Sequence, residues 1–180
     1  MGLIRCDARF LRSYPLGETS LIAVLLTPEH GLIRAVAKGA RETRSRYRGL
    51  MEAGWPLEVQ VYPKRAGLHL LKEAALRGRL PQPSRRLEPW VLRLAAIELI
   101  LASSEEGAAL PGLFDLLEEY LGVFDAGGEE GPLPFFAFEA GLLALHGFGP
   151  SLTSCGICGR PLSRGPALRA RGGLLRLPAA

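Results

Sequence analysis

Leu57-Glu58-Val59-Gln60-Val61-Tyr62 decides how the first half of the chain is read. Its first five residues alternate strictly between apolar and polar, the period of a strand with one face in a core and the other in water. Tyr62 suits a half-exposed end. On the C-terminal side, Pro63 to Gly67 forms a turn into a second strand, Leu68 to Leu76. On the N-terminal side lie three more strand-like runs, Leu3 to Phe10, Ser20 to Thr27 and Leu32 to Lys38. Pro28-Glu29-His30-Gly31 makes a tight hairpin between the last two, because proline and glycine supply the backbone angles of such a turn.

Five strands in so short a stretch predict a small barrel. Strand counting admits both the five-stranded OB-fold, which binds oligonucleotides, and an SH3-like barrel. After Pro81-Gln82-Pro83, where helix and ladder are both disfavoured, the period becomes helical. Trp90, Leu94, Ile97 and Leu101 predict a helix with one apolar stripe, ending near Ser103 or Ser104. Leu113, Leu116, Leu117, Tyr120, Leu121 and Phe124 mark a second helix, with Pro111 near its first turn. Phe135 to His146 is a third, opened by Pro134, closed by Gly147 as a left-handed cap and stopped by Pro150. The glycine-rich, acidic stretch Ala126 to Gly131 is a loop. The expected organisation is α+β, with a barrel over 1–80, a helical domain over 81–150 and a C-terminal segment over 151–180.

The net charge of +4 conceals an asymmetry: residues 1–80 carry +7, residues 81–150 carry −8 and residues 151–180 carry +5. A basic module joined to an acidic one suggests a polyanion-binding part and a separate part with another task; the plainer alternative is a solvated surface. No run approaches the roughly 18 apolar residues of a membrane span, and the charged start MGLIRCDARFLRSY is unlike a secretory signal. The expectation is a soluble cytoplasmic protein without membrane contact. Three cysteines are too few for a disulfide framework, and Cys6, on the first strand, reads as a small buried apolar group.

The densest cluster of cations is Lys38-Gly39-Ala40-Arg41-Glu42-Thr43-Arg44-Ser45-Arg46-Tyr47-Arg48-Gly49. Lys38, Arg41, Arg44, Arg46 and Arg48 fall in a segment too polar for a core, between two strands. Arginine offers a planar fork to phosphate and stacks on bases, and Tyr47 adds a stacking surface, the combination used by sequence-tolerant single-strand binders.

KGARETRSRYRGLMEAGWPLEVQVY resembles a segment of the bacterial RecO family of recombination mediators, in which KGAR, a basic Ser-Arg-bearing stretch and a Gly-Leu precede an alternating strand. The early Tyr14-Pro15-Leu16-Gly17-Glu18-Thr19-Ser20 and the CxxCG after the helices are similar too. The resemblance implies an N-terminal OB-fold, a helical domain, and binding and annealing of single-stranded DNA, with duplex bound more weakly. It also implies RecR and single-strand binding protein as partners in recombinase loading, at the nucleoid. The alternative is an OB-fold RNA-binding module of another pathway.

Cys155 and Cys158 are half of a tetrahedral zinc site. Zinc-bearing relatives supply a second CxxC after a Gly-Gly, but here Gly172-Gly173 is followed by Arg176 and Ala179 at the matching positions. The expectation is a degenerate zinc knuckle and no metal or other cofactor. His146, at a helix end, reads as a C-terminal cap. No nucleophile, base or carboxylate pair is placed to converge, and KGAR lacks the Gly-Lys-Ser/Thr of a phosphate loop. The expected protein is therefore not an enzyme.

Overall fold

In a computed structural model, the chain is described over residues 2–64, 67–78, 87–126, 131–149, 159–161, 169–171 and 174–176. Five strands come first: β1 (Ile4–Leu16), β2 (Ser20–Thr27), β3 (Gly31–Ala37), β4 (Pro56–Tyr62) and β5 (His69–Leu76). They close into a barrel in the order β1-β2-β3-β5-β4, with β4 returning to β1. Every pairing is antiparallel except the parallel contact of β3 with β5. This is the small five-stranded barrel that the strand count predicts, and of the two alternatives it is consistent with the OB-fold that the family resemblance implies.

The alternation in β4 does what its period requires. Leu57, Val59 and Val61 enter the barrel core with Cys6, Phe10, Leu25, Ile33 and Leu71, while Glu58 and Gln60 stay partly in water. Burial pushes the Cys6 thiol up to about 11, with Glu29 and Asp7 adding to the shift. The hairpin between β2 and β3 turns on Gly31, which has a φ of 61°. A Cβ there would lie 2.4 Å from the Ala108 carbonyl oxygen, so the position needs glycine on two counts. Thr27 closes the turn, its hydroxyl donating to the Gly31 carbonyl at 3.1 Å and accepting from the His30 amide at 3.2 Å.

β1 runs six residues beyond the expected Phe10. A register shift between Phe10 and Arg12 lets the strand continue with its faces exchanged, as a bulge does. The polar Arg12 and Ser13 hid that continuation.

Three helices follow: α1 (Leu87–Ser103), α2 (Leu113–Asp125) and α3 (Leu133–Leu145). α1 buries Arg93, Ala96, Ile97 and Ile100, so the expected stripe is wrong by a rotation about the helix axis and Leu94 is exposed. A helix apolar on most sides does not declare its buried face by periodicity; here the ion pair of Arg93 with Asp125 turns Arg93 inward. α2 starts from Gly112 in the left-handed conformation, one residue after Pro111. α3 ends as expected on Gly147, at a φ of 81°. The Gly147 amide donates to Ala144 O and the Phe148 amide to Leu143 O, the paired bonds of a Schellman cap.

The chain divides into two compact units, Met1–Phe138 and Glu139–Ala180. In the first, barrel and helices share a buried ionic junction. Arg9, almost wholly buried, donates to Glu118 and, at 2.6 Å, to the Gly54 carbonyl. Arg77 donates to Asp7 at 2.9 Å and to Glu118 at 2.7 Å. In the second unit the backbone of Arg169–Arg171 (β6) pairs antiparallel with Leu174–Arg176 (β7). Cys155 and Cys158 lie outside the described residues. No helix among the described residues is long and apolar enough to cross a membrane.

Candidate nucleic-acid interface

The cationic segment leaves β3 after Ala37 and returns at β4, and its backbone is a succession of tight turns. Amides bond back three residues, Glu42 to Gly39 O at 3.1 Å, Ser45 to Glu42 O at 3.0 Å and Arg48 to Ser45 O at 3.2 Å. Two further bonds tie it to the β1–β2 turn: the Arg41 amide to Thr19 O at 2.8 Å and the Arg41 Nη1 to Gly17 O at 3.0 Å. Arg48 Nη1 donates to Thr43 O within the loop.

Apolar and charged residues of the segment point in different directions. Ala40, Tyr47, Leu50 and Met51 pack on the barrel core. Lys38, Arg41, Arg44, Arg46 and Arg48 are all exposed. The loop is therefore a lid on the barrel whose outer surface carries five cations.

Tyr47 requires a correction. The sequence offers its ring as a stacking surface beside a plainer structural role, and the structure gives the latter: it is only 2% exposed. Its hydroxyl donates at 2.8 Å to Leu71 O and lies 3.1 Å from Lys72 O. Burial raises the phenol's pKa, against the opposing charge of Arg46, whose guanidinium lies 5.2 Å from the ring centroid. The ring is held by the core and offers no face to a ligand. Arg46 covers the outer side, so the cation and not the ring meets solvent.

Most of the other described barrel cations differ from those of the loop, the exposed Lys64 aside. Arg5 pairs with Glu58, Arg9 and Arg77 with Glu118, Arg12 with Glu98 and Arg34 with Glu106. Among the described residues, none of Lys38, Arg41, Arg44, Arg46 and Arg48 has a carboxylate partner within 4.0 Å. Arg12, Tyr14 and Arg34 are not among the binding residues expected from the sequence; for Arg12 and Tyr14 the signal is their alternate spacing along β1.

In the helical part, Phe138 is buried, its ring 4.8 Å from that of Tyr120, with Phe135 and Phe124 around them. Phe136 is 57% exposed. A separate cavity of about 200 Å³ between α2 and α3 is lined by Leu116, Tyr120, Val123, Pro134 and Phe138 and does not include Phe136. Among the described residues no three His, Cys, Asp or Glu side chains are grouped to hold a metal. His146 stands one residue before the Gly147 cap, its amide bonded to Leu142 O.

Comparison with known proteins agrees with this architecture. Residues 1–79 match the family described as recombination protein O N terminal, and residues 87–178 match recombination protein O C terminal. The DNA repair protein RecO of Myxococcus xanthus is 34% identical over 173 residues, which cover 96% of this chain and 70% of that one. Its counterpart in Pelobacter propionicus is 35% identical over 165 residues, covering 91% and 66%. That of Geobacter sulfurreducens is 34% identical over 170 residues, covering 94% and 69%. The chain thus spans about two thirds of the length of these relatives. A barrel and a helical part that both match, joined in the same order and shared along nearly the whole chain, place it in the RecO family of DNA repair proteins.

Proposed function

We propose that the chain binds single-stranded DNA through the loop from Lys38 to Arg48, and that it is a mediator and not an enzyme. The observation that carries this reading is the set of five exposed cations without carboxylate partners on an ordered loop. Fixed cations lacking internal counter-charges favour a polyanion, because each phosphate neutralised releases condensed counterion. Contacts of this kind grip the backbone and leave base edges free. Two strands whose phosphate repulsion is reduced can then pair through those edges, which is annealing without covalent chemistry. Duplex, whose backbone is stiffer, is held more weakly by the same loop. The exposed Phe136 and, separately, the cavity between α2 and α3 support a protein-docking role for the helical part, toward RecR and single-strand binding protein in the loading of recombinase.

The test is replacement of Arg41, Arg44, Arg46 and Arg48 together by Ala. Affinity for single-stranded DNA should drop, and the slope of log affinity against log salt should flatten by up to about 2.8, at about 0.7 per contact. The melting temperature should change little, since exposed substitutions usually cost within about 0.5 kcal/mol each. Unaltered affinity and slope would remove the loop from the site. Competition with RNA of equal length separates the DNA reading from an RNA-binding module.

A further inference from the structure

Strand register places a second set of basic and aromatic side chains in line with the loop. Arg12 of β1 lies opposite Val24 of β2, and Val24 opposite Arg34 of β3. Two residues along, Tyr14 lies opposite Ile22 and Ile22 opposite Val36. Two further along, Leu16 lies opposite Ser20, and Lys38 stands two residues beyond Val36. Side chains alternate across a sheet, and Ala23, Ala35 and Ala37 occupy the barrel interior. All three rows therefore lie on the outer face. From Arg34 to Ala37, the last residue of β3, is three residues, about 10 Å, so the rows lead from mid-strand to Lys38 at the root of the basic loop.

The first row opens into a cavity of about 290 Å³ between this face and α1, lined by Arg12, Tyr14, Val24, Arg34 and Leu101. Two guanidiniums, an exposed tyrosine and an apolar floor are what a nucleotide of a single strand needs: phosphate partners, a stacking ring and a dry base contact. Both guanidiniums are occupied, however. Glu98 of α1 pairs with Arg12, and Glu106, after α1, lies 3.4 Å from Arg34 Nε. Both pairs are well exposed on each side, and exposed ion pairs hold weakly against water and salt.

We propose that this groove is a second single-strand site held closed by its own carboxylates, with Glu98 and Glu106 standing where phosphates of the incoming strand would bind. It rests on the reading of the loop as the primary contact, and lengthens that contact along the outer face. DNA anchored on the loop reaches the groove at high local concentration and displaces the two carboxylates. Before that the groove is silent, which keeps short or passing polyanions off it.

The experiment uses the full chain, a fluorescent oligothymidylate long enough to span both parts, and a salt titration. Glu98→Gln/Glu106→Gln should bind more tightly and steepen the salt slope by up to about 1.4, two contacts at about 0.7 each. In that background Arg12→Ala/Arg34→Ala should abolish the gain, and Tyr14→Ala should weaken binding roughly tenfold without changing the slope. Glu29→Gln/Glu119→Gln, which changes the net charge equally at exposed positions away from the groove, should leave affinity nearly unchanged. An equal gain from that control, or no change of affinity and slope in Glu98→Gln/Glu106→Gln, overturns the proposal. If the double variant melts early, Glu106→Gln alone carries the test, with a change of about 0.7 expected and none fatal. The loop variant, measured in parallel, reports on the primary site: loss there with a flat groove result removes only the groove, and no loss there removes the loop.

Discussion

Tyr47 lies within the most basic stretch of the chain, yet its chemistry belongs to the barrel. Its hydroxyl serves two carbonyls of β5, and its ring fills the end of the core. Tyr47→Phe removes the hydroxyl that donates to the buried Leu71 carbonyl and should cost about 1–3 kcal/mol. Tyr47→Ala opens a cavity as well and should cost about 3–5 kcal/mol. Urea denaturation measures both. A stability loss near zero for the alanine variant would mean that the ring is not held as described. The cations around it were legible in the sequence because charge needs no partner to be recognised. The burial of Tyr47 was not, since it depends on carbonyls 24 and 25 residues away.

At the level of elements, strands were legible where one face is buried and the other wet, as in β4. The buried side of α1 was not, because Arg93 is drawn in by Asp125, 32 residues on. The same holds for the junction at Glu118, which gathers Arg9 from β1 and Arg77 from the end of the barrel across separations of 109 and 41 residues. Burial would raise the Glu118 carboxyl, but the hydrogen bonds and charges of Arg9 and Arg77 outweigh it and hold the carboxyl below the usual range. A carboxyl lowered on folding contributes stability that is fully present above its unfolded value, about 4.3, and lost as pH falls through the folded one. Denaturant midpoints should therefore fall as pH is lowered from 5 toward 3, and Glu118→Gln should flatten that dependence. Near pH 7 the same variant should be less stable, because Arg9 is left buried without a full counter-charge. An identical acid profile for variant and wild type would show that Glu118 is not the titrating group.

Across the whole molecule, the charge asymmetry has a different meaning from the one its sequence suggests. The acidic excess of the middle region is in part directed inward: Glu118, Glu98 and Glu106 neutralise Arg9, Arg77, Arg12 and Arg34 of the barrel. Among the described barrel residues, five cations without a carboxylate partner stand together on the loop. Net charge by segment was readable in advance; which charges cancel required the fold.

The ring of strands has one narrow seam. β3 and β5 meet over three residue pairs, Ala35 with His69, Val36 with Leu70 and Ala37 with Leu71. The other neighbours pair over six or seven. The basic loop departs from one side of this seam, and its tyrosine fastens to the other side at Leu71 and Lys72. Amide exchange should thus be faster at residues 35–37 and 69–71 than along β1 and β2. The loop is also the proposed handle for DNA, so a bound strand that requires the closed ring should suppress opening in proportion to its occupancy. Slower exchange at those six residues on adding single-stranded DNA would make the ligand a clasp: the strand being repaired would hold shut the barrel that grips it.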